Sequence, residues 1–454
     1  MNDLLNRSAL EQAAAIRRGE VSVEQLTAAS LQRIQAGNDS IHAFVEVAPA
    51  RALARARALD KELRRDPSAR RSPLWGLPTG LKDLHMTRGF FMRGGSRAYR
   101  YLWSPLDDVT SATVRRAGMV VLGKLATSEL GILPTIEVDI HPPTRNPWDN
   151  ARTAGGSSGG SAAATAAGFI ALAPGSDGGG SIRIPASLCG LVGHKPTRDL
   201  VPNPHKTFET VGLSVIGPLA RSVDDAAALL DLLAGREHAA DSFLAAAQRP
   251  PAPLRVHVTT ENPVVATEAP IVAAVTRVAS VLQSLGHHVQ DGAQPTGTVD
   301  DFLPMYRFLA AASPVLFESK LQGVSRWLRT AGKSVTHAQA MQARDLFTQR
   351  ALSWMEGADV LLTPTVAVTP PKVHATREME PGPAFYEQAG LGAYTASFNA
   401  SGMPAISVPV WVDGHAWPIG VQLVGRQGDD AMLLALARAV MDAMGALVVP
   451  TAAR

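Results

Sequence analysis

Two runs rich in glycine and serine, Gly155-Gly-Ser-Ser-Gly-Gly-Ser161 and Gly175-Ser-Asp-Gly-Gly-Gly-Ser181, flank an apolar, alanine-rich stretch. A glycine–serine run by itself fits a flexible linker, but linkers do not run directly into core-like sequence, and Ala162 to Pro174 follows at once. That stretch is too short for a membrane span and predicts a buried helix and strand. Gly155-x-Ser157-x-Gly159 also satisfies G-x-S-x-G, a turn that exposes a nucleophile after an apolar strand. Here the preceding residues 144–153 carry loop chemistry instead. The third reading is a backbone-dense turn that holds hydroxyls against a reacting centre. Glycine lets backbone N–H groups approach a ligand closely, and successive N–H groups pointing one way form an anion-binding concavity. Immediately before Ser181 such a run suits an oxyanion hole.

A phosphate cradle is the competing use of glycine-rich backbone. Neither run continues into G-K-[ST], which a P-loop needs. Gly118-Met-Val-Val-Leu-Gly123-Lys124-Leu125 comes near that pattern, but Leu125 has no hydroxyl for magnesium and the four middle residues are strand-like. Lys82 lies in another apolar run, Leu77-Pro-Thr-Gly-Leu-Lys-Asp-Leu84. A desolvated lysine has a lowered pKa and serves as a base; an ordinary lysine would snorkel to solvent.

With 454 residues, 46% hydrophobic and 18% charged, the chain has material for a large core. Only eight of its 43 basic residues are lysines, and a net charge of +3 gives no reason to expect nucleic acid. The one cysteine, Cys189, cannot form an internal disulfide and reads as a small core residue. Cys/His zinc spacing is absent, so neither a metal nor a cofactor is expected. The start, MNDLLNRSALEQ, has no signal-peptide pattern, and no apolar run reaches 18 residues. The expectation is a cytoplasmic protein without a membrane partner, monomeric or homodimeric.

Ser8-Ala-Leu-Glu11 and Ser22-Val-Glu-Gln25 fit capping boxes, and a third helix is expected over Pro49–Leu63. Further helices are predicted over 111–116, 223–233, 270–285 and 430–444, and across most of 295–356. Strands are predicted over 119–122, 254–258, 360–364, 405–410 and 420–424, with another starting at 288. This alternation implies an α/β fold with a partly parallel sheet. Because no linker separates self-sufficient halves, one domain over 1–454 is expected. It comprises N-terminal helices over 1–70, a motif-bearing core over 76–233 and a variable, mostly helical region over 295–356.

Together these segments resemble the amidase signature family. The likeness runs through Gly76–Asp83, Arg145–Trp148, Gly155–Cys189, Gly193–Thr197, Gly217–Arg221, Phe398-Asn399, Gly402–Pro404, Pro409 and Pro418–Gly425. The resemblance implies a large mixed, mostly parallel twisted β-sheet covered by helices on both faces. It also implies a Ser–Ser–Lys triad, with Ser181 as nucleophile, Ser157 as a bridging serine in a cis peptide and Lys82 as base. Backbone N–H groups of Gly178, Gly179, Gly180 and Ser181 would form the oxyanion hole, and Ser158, Asp177 and Arg183 would support the site. The chain departs from the pattern at Gly178, where a larger residue is common, and at His194, where an apolar one is.

The function implied is hydrolysis of carboxamide C–N bonds in small to medium, apolar or aryl substrates, as in stand-alone and aryl acylamidase-like members. Met305, Tyr306, Phe308, Leu309, Phe317, Trp327 and Phe347 of the variable region motivate the apolar pocket. The same triad would serve a carbamate (urethane) hydrolase. Two further alternatives are the catalytic subunit of a glutamine-dependent aminoacyl-tRNA amidotransferase and a catalytically silent binding or scaffold protein.

Overall fold

The computed structural model describes residues 2–66, 72–207, 209–293, 295–412 and 414–445. Both N-terminal capping boxes form: the Ser8 and Ser22 hydroxyls accept from the backbone N–H groups of Glu11 and Gln25, whose side chains reach back to the cap backbone. The helices Ala9–Arg18 and Val23–Ile41 follow, and the third helix runs Pro49–Arg65. Between the second and third lies a strand the sequence pattern does not announce, β1 (Phe44–Val47). It exists because it pairs antiparallel with β3 (Val120–Leu125), which pairs parallel on its other side with β2 (Pro78–Lys82). The near-P-loop segment is thus strand β3, and Lys124 is a buried side chain beside Asp83. A two-strand ribbon of β4 (Arg145–Asn146) and β5 (Asp149–Thr153) replaces the loop expected before the first glycine run.

The alanine-rich stretch does form a buried helix, Gly159–Ala166, and a buried strand, β6 (Leu172–Asp177). Strands β7 (Val192–Lys195), β8 (Val215–Ala220), β9 (Arg255–Val258), β10 (His288–Asp291), β11 (Val360–Pro364), β12 (Ala405–Val410) and β13 (Ile419–Val424) complete the main sheet. Its order is β10-β9-β11-β13-β12-β7-β8-β6. The fold is α/β and the sheet is large and mixed, as expected, but the expectation of mostly parallel pairing is corrected here. Five of the seven pairings are antiparallel, and only β10–β9 and β9–β11 are parallel. Parallel neighbours need a crossover, usually helical, and the helices Ala269–Ser284 and His337–Trp354 provide it only at that edge. Elsewhere β12 and β13 are joined by the short segment 411–418, and the segment 196–214 returns β8 between β6 and β7. Helices Arg183–Cys189, Val223–Ala234 and Asp430–Met444 pack against the sheet.

Three contacts bring the site together. Thr79 of β2 donates its hydroxyl to the Leu172 carbonyl of β6 at 3.0 Å, docking the small sheet onto the large one. Helix Gly159–Ala166 approaches the small sheet so closely that a Cβ on Gly160 would lie 2.3 Å from the Ala126 nitrogen and 2.7 Å from the Ala43 carbonyl oxygen. Finally, His194 and Asp430, both buried, pair at 2.9 Å and fasten β7 to the C-terminal helix, which gives the departure at His194 a structural role.

No side-chain movement can relieve a Cβ that meets backbone on both sides. Gly160→Ala is therefore expected to lower stability by about 1–3 kcal/mol through overpacking. A chemical-denaturation midpoint equal to that of the parent protein would show that the helix can withdraw instead.

Candidate active site

Lys82 ends β2 fully buried, and its Nζ donates to three hydroxyls: Ser157 Oγ at 2.7 Å, Ser176 Oγ at 2.8 Å and Ser158 Oγ at 2.9 Å. Burial pushes the amine down to about 7, against an opposing pull from the Asp177 charge. Ser157 follows β5 through a cis Gly156–Ser157 peptide. Ser158 spends its own proton on the Ser176 carbonyl at 3.0 Å, so it can only accept from Lys82. Ser176 does not emerge from the sequence as a site residue. It lies inside the second glycine–serine run, but its inward direction follows from the β6–β8 register that sets the facing of the strand.

Beyond Asp177 the chain turns through the three glycines to Ser181, which is 8% exposed and lines a cavity. The Ser158 N–H donates to the Ser181 carbonyl at 3.2 Å, joining the two serine loops through backbone. Among the described residues, no hydrogen bond joins the Ser157 and Ser181 hydroxyls. Asp177 shapes the turn. Its carboxylate accepts from the N–H of Gly180 at 2.7 Å and of Ile182 at 3.1 Å, and from Arg183 Nε and Nη2 at 3.0 Å each. Burial alone would raise this carboxyl, but the Arg183 guanidinium holds it far below the usual carboxylate range. Arg183, with no exposed surface, also donates to Gln422 Oε1 at 2.8 Å and Asn399 Oδ1 at 2.7 Å. Asn399 returns its amide to the Asp177 carbonyl at 2.8 Å. Asn399 and Gln422 sit in segments that carry the family resemblance without an assigned role; their contact with Arg183 spans more than two hundred positions.

These contacts correct one expectation. The Gly180 N–H is engaged with Asp177 and is not free for an oxyanion. The N–H groups of Gly179 and Ser181 make no hydrogen bond among the described residues, and both residues line the cavity. Gly178 is absent from that lining, and a Cβ there would meet nothing within 4 Å. Gly180, by contrast, has φ +128°, and a Cβ on it would sit 2.2 Å from the Thr395 hydroxyl. Cys189 is a buried core thiol that donates to the Ala154 carbonyl at 3.4 Å.

The cavity holds about 850 Å³ of atom-free space, part of it open to solvent. Its wall includes Ile132, Ile184, Phe302, Tyr306, Phe347 and Phe385, and no charged side chain among the described residues. Of the seven apolar residues singled out in the variable region, only Tyr306 and Phe347 reach it. Met305 is core and Phe317 is 56% exposed. Phe385 comes from outside that region, on helix Pro381–Ala389.

The family model described as Amidase matches residues 25–434. A 6-aminohexanoate-cyclic-dimer hydrolase of Paenarthrobacter ureafaciens is 34% identical over 477 residues, covering 95% of this chain and 93% of the relative. A glutamyl-tRNA(Gln) amidotransferase subunit from Anaeromyxobacter dehalogenans is 31% identical over 484 residues, covering 97% and 96%. Among solved structures, 6-aminohexanoate cyclic dimer hydrolase with its substrate superimposes with a TM-score of 0.86 at 30% identity, covering 97% of each chain. A bacterial aryl acylamidase at 23% identity shares the fold, with a TM-score of 0.84. The chain belongs to the amidase family and is an amide-hydrolysing enzyme. No helix among its described residues is long and apolar enough to cross a membrane.

Removing one partner of a buried ion pair leaves the other charge uncompensated and costs about 3–5 kcal/mol. Arg183→Met is expected to lose stability on that scale, because the Asp177 carboxylate loses its counter-charge and Asn399 Oδ1 and Gln422 Oε1 lose the guanidinium donor. Urea unfolding measures it; a loss below about 1 kcal/mol would mean the network is peripheral.

Proposed function

We propose that the protein hydrolyses small to medium, neutral, apolar carboxamides through an acyl-enzyme on Ser181, with Lys82 as base and Ser157 as relay. The observation that carries the chemistry is Lys82 Nζ, buried, lowered to about 7 and 2.7 Å from the Ser157 hydroxyl. A neutral amine has two protons and one lone pair. With the protons directed to Ser158 and Ser176, the lone pair faces Ser157 and accepts its proton. Ser157 then accepts the Ser181 proton as Ser181 Oγ attacks the substrate carbonyl, the second link forming when substrate is bound. The N–H groups of Gly179 and Ser181 are the donors available to the oxyanion. Collapse of the tetrahedral intermediate breaks the C–N bond as the relay returns the proton to the leaving nitrogen, which avoids expelling an amide anion. Water repeats the attack on the ester and regenerates Ser181.

The substrate class rests on the cavity. An apolar wall favours aliphatic or aryl groups, and the cyclic dimer named for the relative is itself an uncharged amide. Free glutamine carries an ammonium and a carboxylate that this wall would leave unpaired, at a high desolvation penalty. A panel of aliphatic amides, anilides and carbamates, with glutamine alongside and Ser181→Ala as blank, tests the reading. Turnover of neutral amides with no glutaminase activity is expected; turnover equal to that of the blank would end it.

Because the base must be neutral, kcat/KM should rise with pH through a limb near the value of about 7 for Lys82 and level off above it. Ser176 accepts from the protonated amine, so Ser176→Ala weakens the charged form and should move the limb to lower pH. A wild-type profile flat down to pH 5 would remove Lys82 as base.

A further inference from the structure

Tyr306 projects from helix Val299–Ala312 into the cavity wall. Its ring is set by Phe302 at 5.1 Å and Phe385 at 6.3 Å between centroids. Phe302 in turn meets Phe347 edge-on at 5.4 Å. The ring therefore has little freedom, and the hydroxyl is delivered to one place. That place is Gly179, the residue that supplies a free N–H next to the proposed nucleophile. A Cβ on Gly179 would lie 2.3 Å from the Tyr306 hydroxyl oxygen.

The hydroxyl has no hydrogen-bond partner among the described residues, and the half-buried side chain forms part of the cavity wall that Ser181 shares, which leaves the hydroxyl open to a ligand there. Burial raises the phenol, which stays neutral and keeps its proton to donate. An aromatic cage that fixes a polar group and leaves it unpaired in an apolar space is suited to a ligand that brings the missing partner.

Resting on the amidase reading above, we propose that Tyr306 is a specificity-determining residue that donates a hydrogen bond to a second carbonyl of the substrate, so that the preferred substrates are neutral compounds with two carbonyl groups, such as diamides. The scissile carbonyl takes the N–H groups of Gly179 and Ser181. The second carbonyl lies on the Tyr306 side of Gly179, and the intervening carbon chain rests on Phe302 and Phe347. Without a second carbonyl, a substrate strips water from the hydroxyl and gives nothing back, which sets up discrimination by an unpaired group.

Hexanamide and adipamide, matched in chain length and both uncharged, provide the test. The parent enzyme should show the higher kcat/KM for adipamide. Tyr306→Phe removes one oxygen and leaves the ring packing intact, which a thermal melt verifies. It should lower kcat/KM for adipamide about ten-fold more than for hexanamide, mostly through KM, since one neutral hydrogen bond is lost. Calorimetric binding of adipamide to Ser181→Ala and to Ser181→Ala/Tyr306→Phe reads the same contact without turnover, and the double variant should bind about ten-fold more weakly. An unchanged ratio of the two substrates, equal losses on both, or equal binding by the two variants would overturn the inference. Absence of turnover with both amides would instead count against the hydrolytic reading, while the calorimetry would still decide the role of Tyr306.

Discussion

The buried pair Asp177–Arg183 is the contact around which the site is organised. A carboxylate at the end of β6 and a guanidinium at the start of the following helix meet in a two-pronged arrangement, six residues apart. The chain between them is forced into a tight turn that contains the glycines and Ser181. Two charges removed from water are tolerated only with their remaining hydrogen-bonding capacity filled. Asn399, Gln422 and the N–H groups of Gly180 and Ile182 fill it. Those partners come from β13 and from the helix Ala396–Ser401 as well as from the turn itself, so the late part of the chain holds the early part in shape.

The same low-dielectric interior lowers the Lys82 amine. That amine is surrounded by hydroxyls rather than by a carboxylate at contact distance, so burial dominates and the charged form is disfavoured. Lys124, one strand away, is equally buried but faces Asp83 at 3.6 Å; burial lowers this amine too, with the Asp83 charge opposing the shift.

Much of the scaffold is legible because it follows local rules. Capping boxes at Ser8 and Ser22 act within four residues, and the strands over 360–364 and 405–410 and the helix over 430–444 lie where the apolar pattern places them. Strand β1 escapes that pattern because its partner β3 is about eighty residues away and it is only four residues long. Ser176 escapes it because a serine in a glycine-rich run does not reveal which face it takes. The predominance of antiparallel pairing is hidden for a related reason: strand order is set by which segments return beside one another, and β8 slots between β6 and β7 only after a long excursion.

Residue types and spacing marked out candidates, a lysine in an apolar run and two serines in glycine-rich turns, and the motifs around them carried the resemblance to the family. Such information is local, because a glycine turn or an apolar strand is specified by a few adjacent residues. Tertiary packing decided the rest. It set the Lys82 amine near 7, turned the Gly180 N–H towards Asp177 instead of the cavity, and assembled an uncharged pocket from segments as distant as Ile132 and Phe385. Burial and hydrogen-bond partnership are properties of what surrounds a group, and those surroundings exist only once remote parts of the chain have met.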